Sequence, residues 1–541
     1  MLSEKIVLTV LREQGVKPFE TRRLVIAVVE EILADARPQI LVNTESGRLC
    51  NKQKQTEAFR AHPKYRTLVL SPALEVVPDG AWKMTVERYF HYSTFSHTWE
   101  EQGEPEFRAV ENMPVDKLPE SFSNTKLQTF CKKTHEHGYM WAWSDTCCIN
   151  KAEKETLDLA LRSMYRWYSG SSLTIVHLKG VLHQLEVDLD TVLDILDKLL
   201  EEFVKCRWNK RAWTLQEYFA SKVIHFYTED WKPYLPIDVC RDAEPTNHKQ
   251  HPAIQRGMQR VTELDAASLT SLKPGSAEVR KKLRLASKRE ATRKEDVAYS
   301  LLGIFKVTIE AIYGDDEAPR ALGRLLGALL TQSADVNILD WTGNSSEYNT
   351  CLPDEITVYH KSESSHIPNQ LDEETLATSI STMESSMSDK ELGSAMKLHD
   401  RLIDIAPPEL HHGRLKLPCI LFSVSSVDRH PTSHRYTATV PLLGKVEIAT
   451  KDDLYSARNM FFANPWFRCL LDPGIPLSET ARRESALKLL ATLRQPFGAL
   501  LLAWTSRDYE RVAADSIITV QMREDISPEQ LIENIRVLYI R

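Results

Sequence analysis

Leu173-Thr174-Ile175-Val176-His177-Leu178 is a short apolar and β-branched run with no regular polar face, which reads as a strand buried on both sides. On its amino side Leu157, Leu161, Met164, Tyr165 and Tyr168 recur at helical spacing. On its carboxyl side Leu185, Leu189, Val192, Leu193, Leu196, Leu199, Leu200 and Phe203 form a second helical stripe, and Val223 to Tyr227 reads as the next strand. Upstream, His91 to Ser96 and Met140 to Cys147 extend the same alternation. Strands alternating with helices predict an α/β fold with an open, mostly parallel sheet flanked by helices. The ligand crevice of such a sheet lies beyond the carboxyl ends of its strands.

The alternation fills 91–232. Ahead of it, 1–90 reads as an N-terminal helical extension, with one amphipathic helix over Ile6 to Leu11 and another carrying Leu24, Val25, Val28, Val29, Ile32 and Leu33. Behind it, 233–345 reads as a helical block, because Thr292-Arg293-Lys294-Glu295 has capping-box spacing ahead of the apolar run Val297 to Phe305. The region 346–398 reads as linker-like, since Lys361 to Lys397 is rich in Ser, Glu and Thr and has no aromatic residue. The region 399–541 reads as α+β, with strands over Leu417 to Val424, Tyr436 to Pro441 and Val446 to Ala449. A final helix there starts at Ser527, with Pro528 and Gln530 suited to its first turn.

Composition narrows the classes of function. The chain has 541 residues, 42% hydrophobic and 26% charged, the balance of a soluble globular protein. Its longest apolar run, Phe497 to Trp504, falls far short of the roughly 20 residues that cross a bilayer, so no membrane association is expected. Glu4 and Lys5 stand among the first residues with no signal-peptide pattern, and a cytoplasmic chain is expected. With 68 basic and 75 acidic residues the net charge is −7, which offers no global field for nucleic acid. The nine cysteines are scattered without a CxxC pair and read as reduced thiols. Neither a Walker loop nor GxGxxG is present, so the kinase and dinucleotide-fold readings fall.

Four constellations carry candidate chemistry. Cys131, His135 and His137 supply metal-ligand side chains, but no fourth ligand stands with them, so no metal site is assigned. The basic stretch Arg280, Lys281, Lys282, Arg284, Lys288, Arg289, Arg293 and Lys294 lacks an aromatic residue for base stacking and reads as a solvated helix face or interdomain contact. Cys147 and Cys148 end one predicted strand and His97 another, the ingredients of a Cys-His hydrolase without its orienting third group. In Arg211-Ala212-Trp213-Thr214-Leu215-Gln216-Glu217, Trp213 and Glu217 are one helical turn apart, an aromatic plane beside a carboxylate. The plainer alternative is a core indole and an ion-paired helix glutamate.

Three segments together resemble the heterokaryon-incompatibility (HET) domain family of fungal proteins. Phe95-Ser96-His97-Thr98-Trp99-Glu100 stands where that family has a strand ending in Ser-Tyr-x-Trp-Gly. Trp143-Ser144-Asp145-Thr146-Cys147-Cys148-Ile149-Asn150 resembles its Asp-x-x-Cys-Ile-Asn-Gln motif, and Arg211 to Glu217 its Arg-Gly-Trp-x-x-Gln-Glu motif. The segment Asp296 to Phe305, followed by Tyr313-Gly314, is similar to one that trails the domain, so the resemblance covers 91–345. His97, Glu100, Lys151 and Ala212 depart from it, replacing Tyr, Gly, Gln and Gly.

The resemblance implies a TIR-like fold and an intracellular role in nonself recognition or a stress-linked cell-death response. It further implies an NAD glycohydrolase that releases nicotinamide, with Glu217 catalytic, Trp213 stacking, and Ser96, Trp99 and Asp145 lining the crevice. A carboxylate beside the ribose would stabilise an oxocarbenium-like transition state. No metal and no resident cofactor are implied, NAD being substrate. Protein partners are expected, self-assembly among them, and nucleic acid is not. The alternative is a non-catalytic protein-interaction module on the same fold.

Overall fold

The expected strands form the middle of a sheet that holds β1 (Ile40–Asn43), β2 (Leu49–Asn51), β3 (Tyr92–His97), β4 (Trp141–Trp143), β5 (Leu173–Leu178) and β6 (Ile224–Thr228). The computed structural model describes residues 18–34, 37–70, 81–182, 200–235, 246–314, 317–360, 373–430, 434–454, 459–466 and 478–541. These divide into two compact units, Met1–Leu272 and Lys273–Arg541.

In the first unit the strand order is β2-β1-β4-β3-β5-β6. β3 pairs in parallel with β4 and β5, and β5 with β6, whereas β1 runs antiparallel to both β2 and β4. The fold is therefore mixed α/β with a partly parallel sheet. The order β4-β3-β5-β6 is the start of the 2-1-3-4 order of doubly wound sheets, and its switch point falls between β3 and β5.

All six residues of β3 and all six of β5 are buried, which explains the unbroken apolar reading of β5. Some of their polar members pair with one another across the strands. The Thr94 and Thr174 hydroxyls are 2.7 Å apart, and Ser221 Oγ lies 2.6 Å from Thr174 Oγ1. The stripe expected ahead of β5 lies on the helix Lys154–Gly170, which buries Leu161, Met164, Trp167 and Tyr168. Of the stripe after β5, only its end is described, residues 200–205 being helical, and the helix expected over Ile6 to Leu11 lies outside the described residues.

The first ninety residues do more than extend the domain. The second expected helix is present as Pro18–Ile32, but β1 and β2 join the sheet on the β4 side. Ile40-Leu41-Val42 is too short to announce a strand by periodicity. Its turn is more legible: Asn43 Oδ1 accepts from the Glu45 and Ser46 amides at 3.1 and 2.9 Å, and Gly47 takes φ 65°. Beyond β6, the polar stretch read as the start of a helical block contributes the helix Pro252–Thr262 to this same unit.

The second unit combines helices with largely antiparallel sheets. Ser426–Arg429, Arg435–Val440 and Gly444–Ala449 form a three-stranded sheet. Met460–Pro465 pairs with both Phe497–Trp504 and Arg414–Ser423, and Tyr509–Arg511 with Ile535–Ile540 closes these strands into a ring. The final helix, Pro528–Asn534, has the capping box expected from Ser527 and Gln530. Thr292 does not cap: short helices instead run over Asp296–Tyr299 and Leu302–Phe305.

Two readings of this unit need correction. The basic stretch is a solvated face only in part: Lys288, Arg293 and Lys294 are exposed, but Arg280 donates to the Asp340 and Tyr359 carbonyls at 3.1 and 2.7 Å, and Lys282 to Gly275 and Ala277 at 2.7 Å each. Backbone carbonyls accept those cations, and charge counting alone cannot reveal them. Nor is Lys361 to Lys397 a linker throughout. Helices run over Glu373–Ser386 and Asp389–Ile403, the latter started by a Ser388–Glu391 capping box. It buries Leu392, Ala395, Leu398 and Leu402 in the same core as Leu487 and Leu490. Aliphatic residues at helical spacing did the work that aromatics were expected to do. Deleting 373–397 should therefore abolish cooperative melting of this unit, and a deletion variant that melts in one sharp transition near the parent's temperature would contradict the assignment.

Candidate functional site

The carboxyl end of β3 delivers Ser96 and His97, and the chain then turns through Thr98, Trp99 and Glu100. β4 stops at Trp143 because the backbone closes a turn, Cys148 N donating to Ser144 O at 2.9 Å, which sets Asp145 just past the strand end. The helix Ala212–Ala220 is buried on nearly every side rather than amphipathic. Its Glu217 reaches the end of β3.

Ser96 Oγ donates to Glu217 Oε2, and Trp208 Nε1 donates to Ser96 Oγ at 2.7 Å. The Tyr168 hydroxyl, which donates to Phe95 O at 2.8 Å, flanks the same carboxyl group. Burial pushes the Glu217 pKa up to about 8, with the Asp145 charge adding to the rise, while the hydrogen bond from Ser96 and the charge of Arg211 offset part of it. At neutral pH this carboxyl is mostly protonated.

Asp145 stays charged nearby. Burial alone would raise its pKa, but His97, Lys151 and Arg211 hold it well below the usual carboxylate range. His97 Nε2 stands 3.6 Å from Asp145 Oδ1, long for a hydrogen bond, and burial with the Lys126 charge keeps the imidazole neutral. The lasting positive charge therefore comes from Lys151 and Arg211. Both also cover the Trp99 ring, with Lys151 Nζ 3.9 Å and Arg211 Cζ 4.9 Å from its centroid, and Trp99 Nε1 donates to Asp145 Oδ2 at 3.1 Å. Two carboxyl groups in adjoining environments thus hold opposite protonation states.

The structure joins Ser96 to Glu217 and Trp99 to Asp145, and couples the two pairs electrostatically. Trp213 is buried, but the indole that meets the Ser96–Glu217 pair is that of Trp208. Sequence reading passed over Trp208 because it lies five residues ahead of the motif tryptophan, and took Tyr168 only as part of a helical stripe. A cavity of about 450 Å³ lies at the far side of β4, lined by Cys148, Ile149, Asn150, Trp143 and Trp167 among others, and not by Glu217.

The other candidates are dispersed. Cys131 is buried, His135 Nδ1 is 3.2 Å from Thr44 Oγ1, and His137 Nε2 is 2.9 Å from the Tyr227 hydroxyl. Among the described residues no group of three or more His, Cys, Asp or Glu side chains is arranged to hold a metal. Cys147 shares a hydrogen bond with Cys148, and this with burial drives its pKa well above the ordinary thiol value, the reverse of an activated nucleophile. No helix among the described residues is long and apolar enough to cross a membrane.

Residues 92–192 match the protein family described as heterokaryon incompatibility protein (HET). The chain is also 29% identical over 237 residues to the vegetative incompatibility protein HET-E-1 of Podospora anserina, an alignment covering 43% of this chain and 16% of that protein. The chain thus aligns with only a small part of that relative. No solved structure matches it. The heterokaryon-incompatibility resemblance read in the sequence is borne out by both matches. The first two motifs fall within 92–192, and Arg211 to Glu217 lies beyond it.

Two measurements check this geometry. Because the Glu217 pKa is raised from 4.5 to about 8, the folded chain holds a proton that the unfolded chain releases, so its contribution to stability is present below about 4.5 and lost as pH rises through about 8. Glu217→Gln should remove that loss, and the parent should melt progressively lower than the variant between pH 5 and 9, buried histidines cancelling in the difference. Parallel curves would place Glu217 in contact with water. Separately, Cys147 and Cys148 should alkylate at least about tenfold more slowly in the native than in the denatured chain, as expected of buried thiols. Equal rates would overturn their inert assignment.

Proposed function

We propose that this chain acts as a heterokaryon-incompatibility-type protein in nonself recognition or a linked cell-death response, and that its first unit works as a protein-interaction module in the form seen here. The observation that carries the choice is the closed Ser96–Glu217–Trp208 network. Its glutamate is buried, hydrogen-bonded and mostly protonated at neutral pH, which disfavours presenting an anionic carboxylate to a substrate. A group so placed fixes the helix Ala212–Ala220 against β3. A role in recognition also fits the printed name of the relative, a vegetative incompatibility protein.

A second reading, NAD glycohydrolysis on a TIR-like fold, draws on the convergence of Ser96, Trp99, Asp145 and Glu217 at strand ends beside the switch point. In that reading Glu217 ionises when the crevice opens, Trp213 stacks on a ring of the substrate, and Ser96, Trp99 and Asp145 line the crevice. NAD is substrate and no resident cofactor is needed.

Incubating the purified full-length chain with NAD, with and without a crowding agent, separates the two. The interaction reading expects no nicotinamide above the buffer control and equal cell death on expression of parent and Glu217→Gln. Nicotinamide release by the parent that stops in a folded Glu217→Gln variant would replace it with the enzyme reading.

A further inference from the structure

The switch point between β3 and β5 is where a doubly wound sheet opens a crevice for an anionic ligand group, and in this chain that place is filled from within. Glu100, just past β3, sends one carboxylate oxygen to each of two lysines. Oε1 is 3.1 Å from Lys126 Nζ, on the helix Phe122–Glu136, and Oε2 is held by Lys179 Nζ, just past β5. The Lys126 side chain is 1% exposed, the Glu100 side chain 8%, and the Lys179 side chain 35%, so the clasp is buried at its base and open to solvent at one lip. Lys126 also donates to Thr98 O at 3.1 Å and pairs with Glu104, so its ammonium keeps partners without Glu100.

Two ammonium groups bracketing a pair of oxygens are the arrangement that receives a phosphate or diphosphate. A buried lysine is costly to retain without such a counter-charge. We propose that Lys126 and Lys179 form an anion site for a phosphate- or diphosphate-bearing ligand, and that the Glu100 carboxylate occupies it as a built-in stand-in. Glu100 belongs to the turn that carries the exposed residues 101–103, and that turn is tied back by Glu100 N donating to Glu104 Oε1 at 2.8 Å and Ser123 Oγ to Gly103 O at 2.6 Å. Release of those ties carries the carboxylate out of the clasp. With Glu100 in place the charges of Lys126, Lys179, Glu100 and Glu104 cancel, and without it the clasp carries one net positive charge. The site does not depend on NAD being cleaved, only on the clasp being vacated.

The test is calorimetric titration of the full chain with inorganic pyrophosphate, repeated with NAD to separate a free diphosphate from one carried by a dinucleotide. Glu100→Gln keeps the side-chain volume and removes the charge, and Glu100→Asp shortens the reach. Both should bind pyrophosphate at least about tenfold tighter than the parent, salt-dependently, and adding Lys179→Met to either should return binding to the parent's level. No gain in either folded variant, or a gain that survives Lys179→Met, would overturn the site. Loss of cooperative melting in both single variants would also overturn it, by showing Glu100 to be a structural counter-ion. Because the readout is binding, an absence of nicotinamide release leaves this result standing.

Discussion

A sheet covered on both faces has no water with which to satisfy the polar groups it buries, and this constraint organises the first unit. β3 alone buries Ser93, Thr94, Ser96 and His97. Each unpaired polar atom in such a place costs on the order of 1–3 kcal/mol. Thr94 meets Thr174, Thr174 meets Ser221, and Ser221 donates to Glu217 O at 2.6 Å, so one chain of hydroxyls ties two strands to the end of the helix Ala212–Ala220. Ser96 ties the same helix by donating its hydroxyl to the Glu217 carboxyl group. The motif helix is thus held at two points of one polar ladder, and its fully buried character follows from that. An amphipathic helix resting on a sheet would have needed neither tie.

What could be read from the chain follows from which interactions are local. The largely apolar and β-branched run of β5 names that strand because burial on both faces is written in consecutive residues, whereas β3 is buried with four polar residues among its six. Ile40-Leu41-Val42 could not be named, since three apolar residues suit a strand or a buried turn of helix equally and pairing with β4 across some hundred residues decides between them. The same distinction governs the site. Glu217 and Trp213 share a motif and were legible together, whereas the Trp208–Ser96 bond joins residues 112 apart and leaves no local pattern. Absence of aromatic residues misled in the region 373–403 because Leu, Ala and Met at helical spacing supply a sufficient face.

Charge shows the same division between count and place. The sequence holds a surplus of acid over base, and from the count Arg280 and Lys282 belong with the solvated cations. In place, each is buried and donates to backbone carbonyls, and burial lowers the Lys282 pKa to about 8. These cations complete a fold. Charges that stand near the strand ends of the first unit answer to one another instead, through carboxylates at Asp145, Glu100 and Glu104.

Three of the positions at which this chain departs from the family pattern, His97, Glu100 and Lys151, all fall at those strand ends. They do not act as isolated substitutions. His97 lies between Asp145 and Glu104, at 3.6 and 3.8 Å. Glu100 engages Lys126 and Lys179, and Lys151 sits over the Trp99 ring whose N–H binds Asp145. A glycine in place of Glu100 would leave Lys126 and Lys179 without their shared counter-charge, and a neutral residue in place of Lys151 would weaken the field that keeps Asp145 ionised. Asp145 in turn raises Glu217, since a fixed negative charge disfavours a second one close by. The protonation state of the motif glutamate is therefore set in part by residues outside its motif. For that reason the motif's presence alone does not decide whether this carboxyl group serves as a structural tie or as a catalytic base.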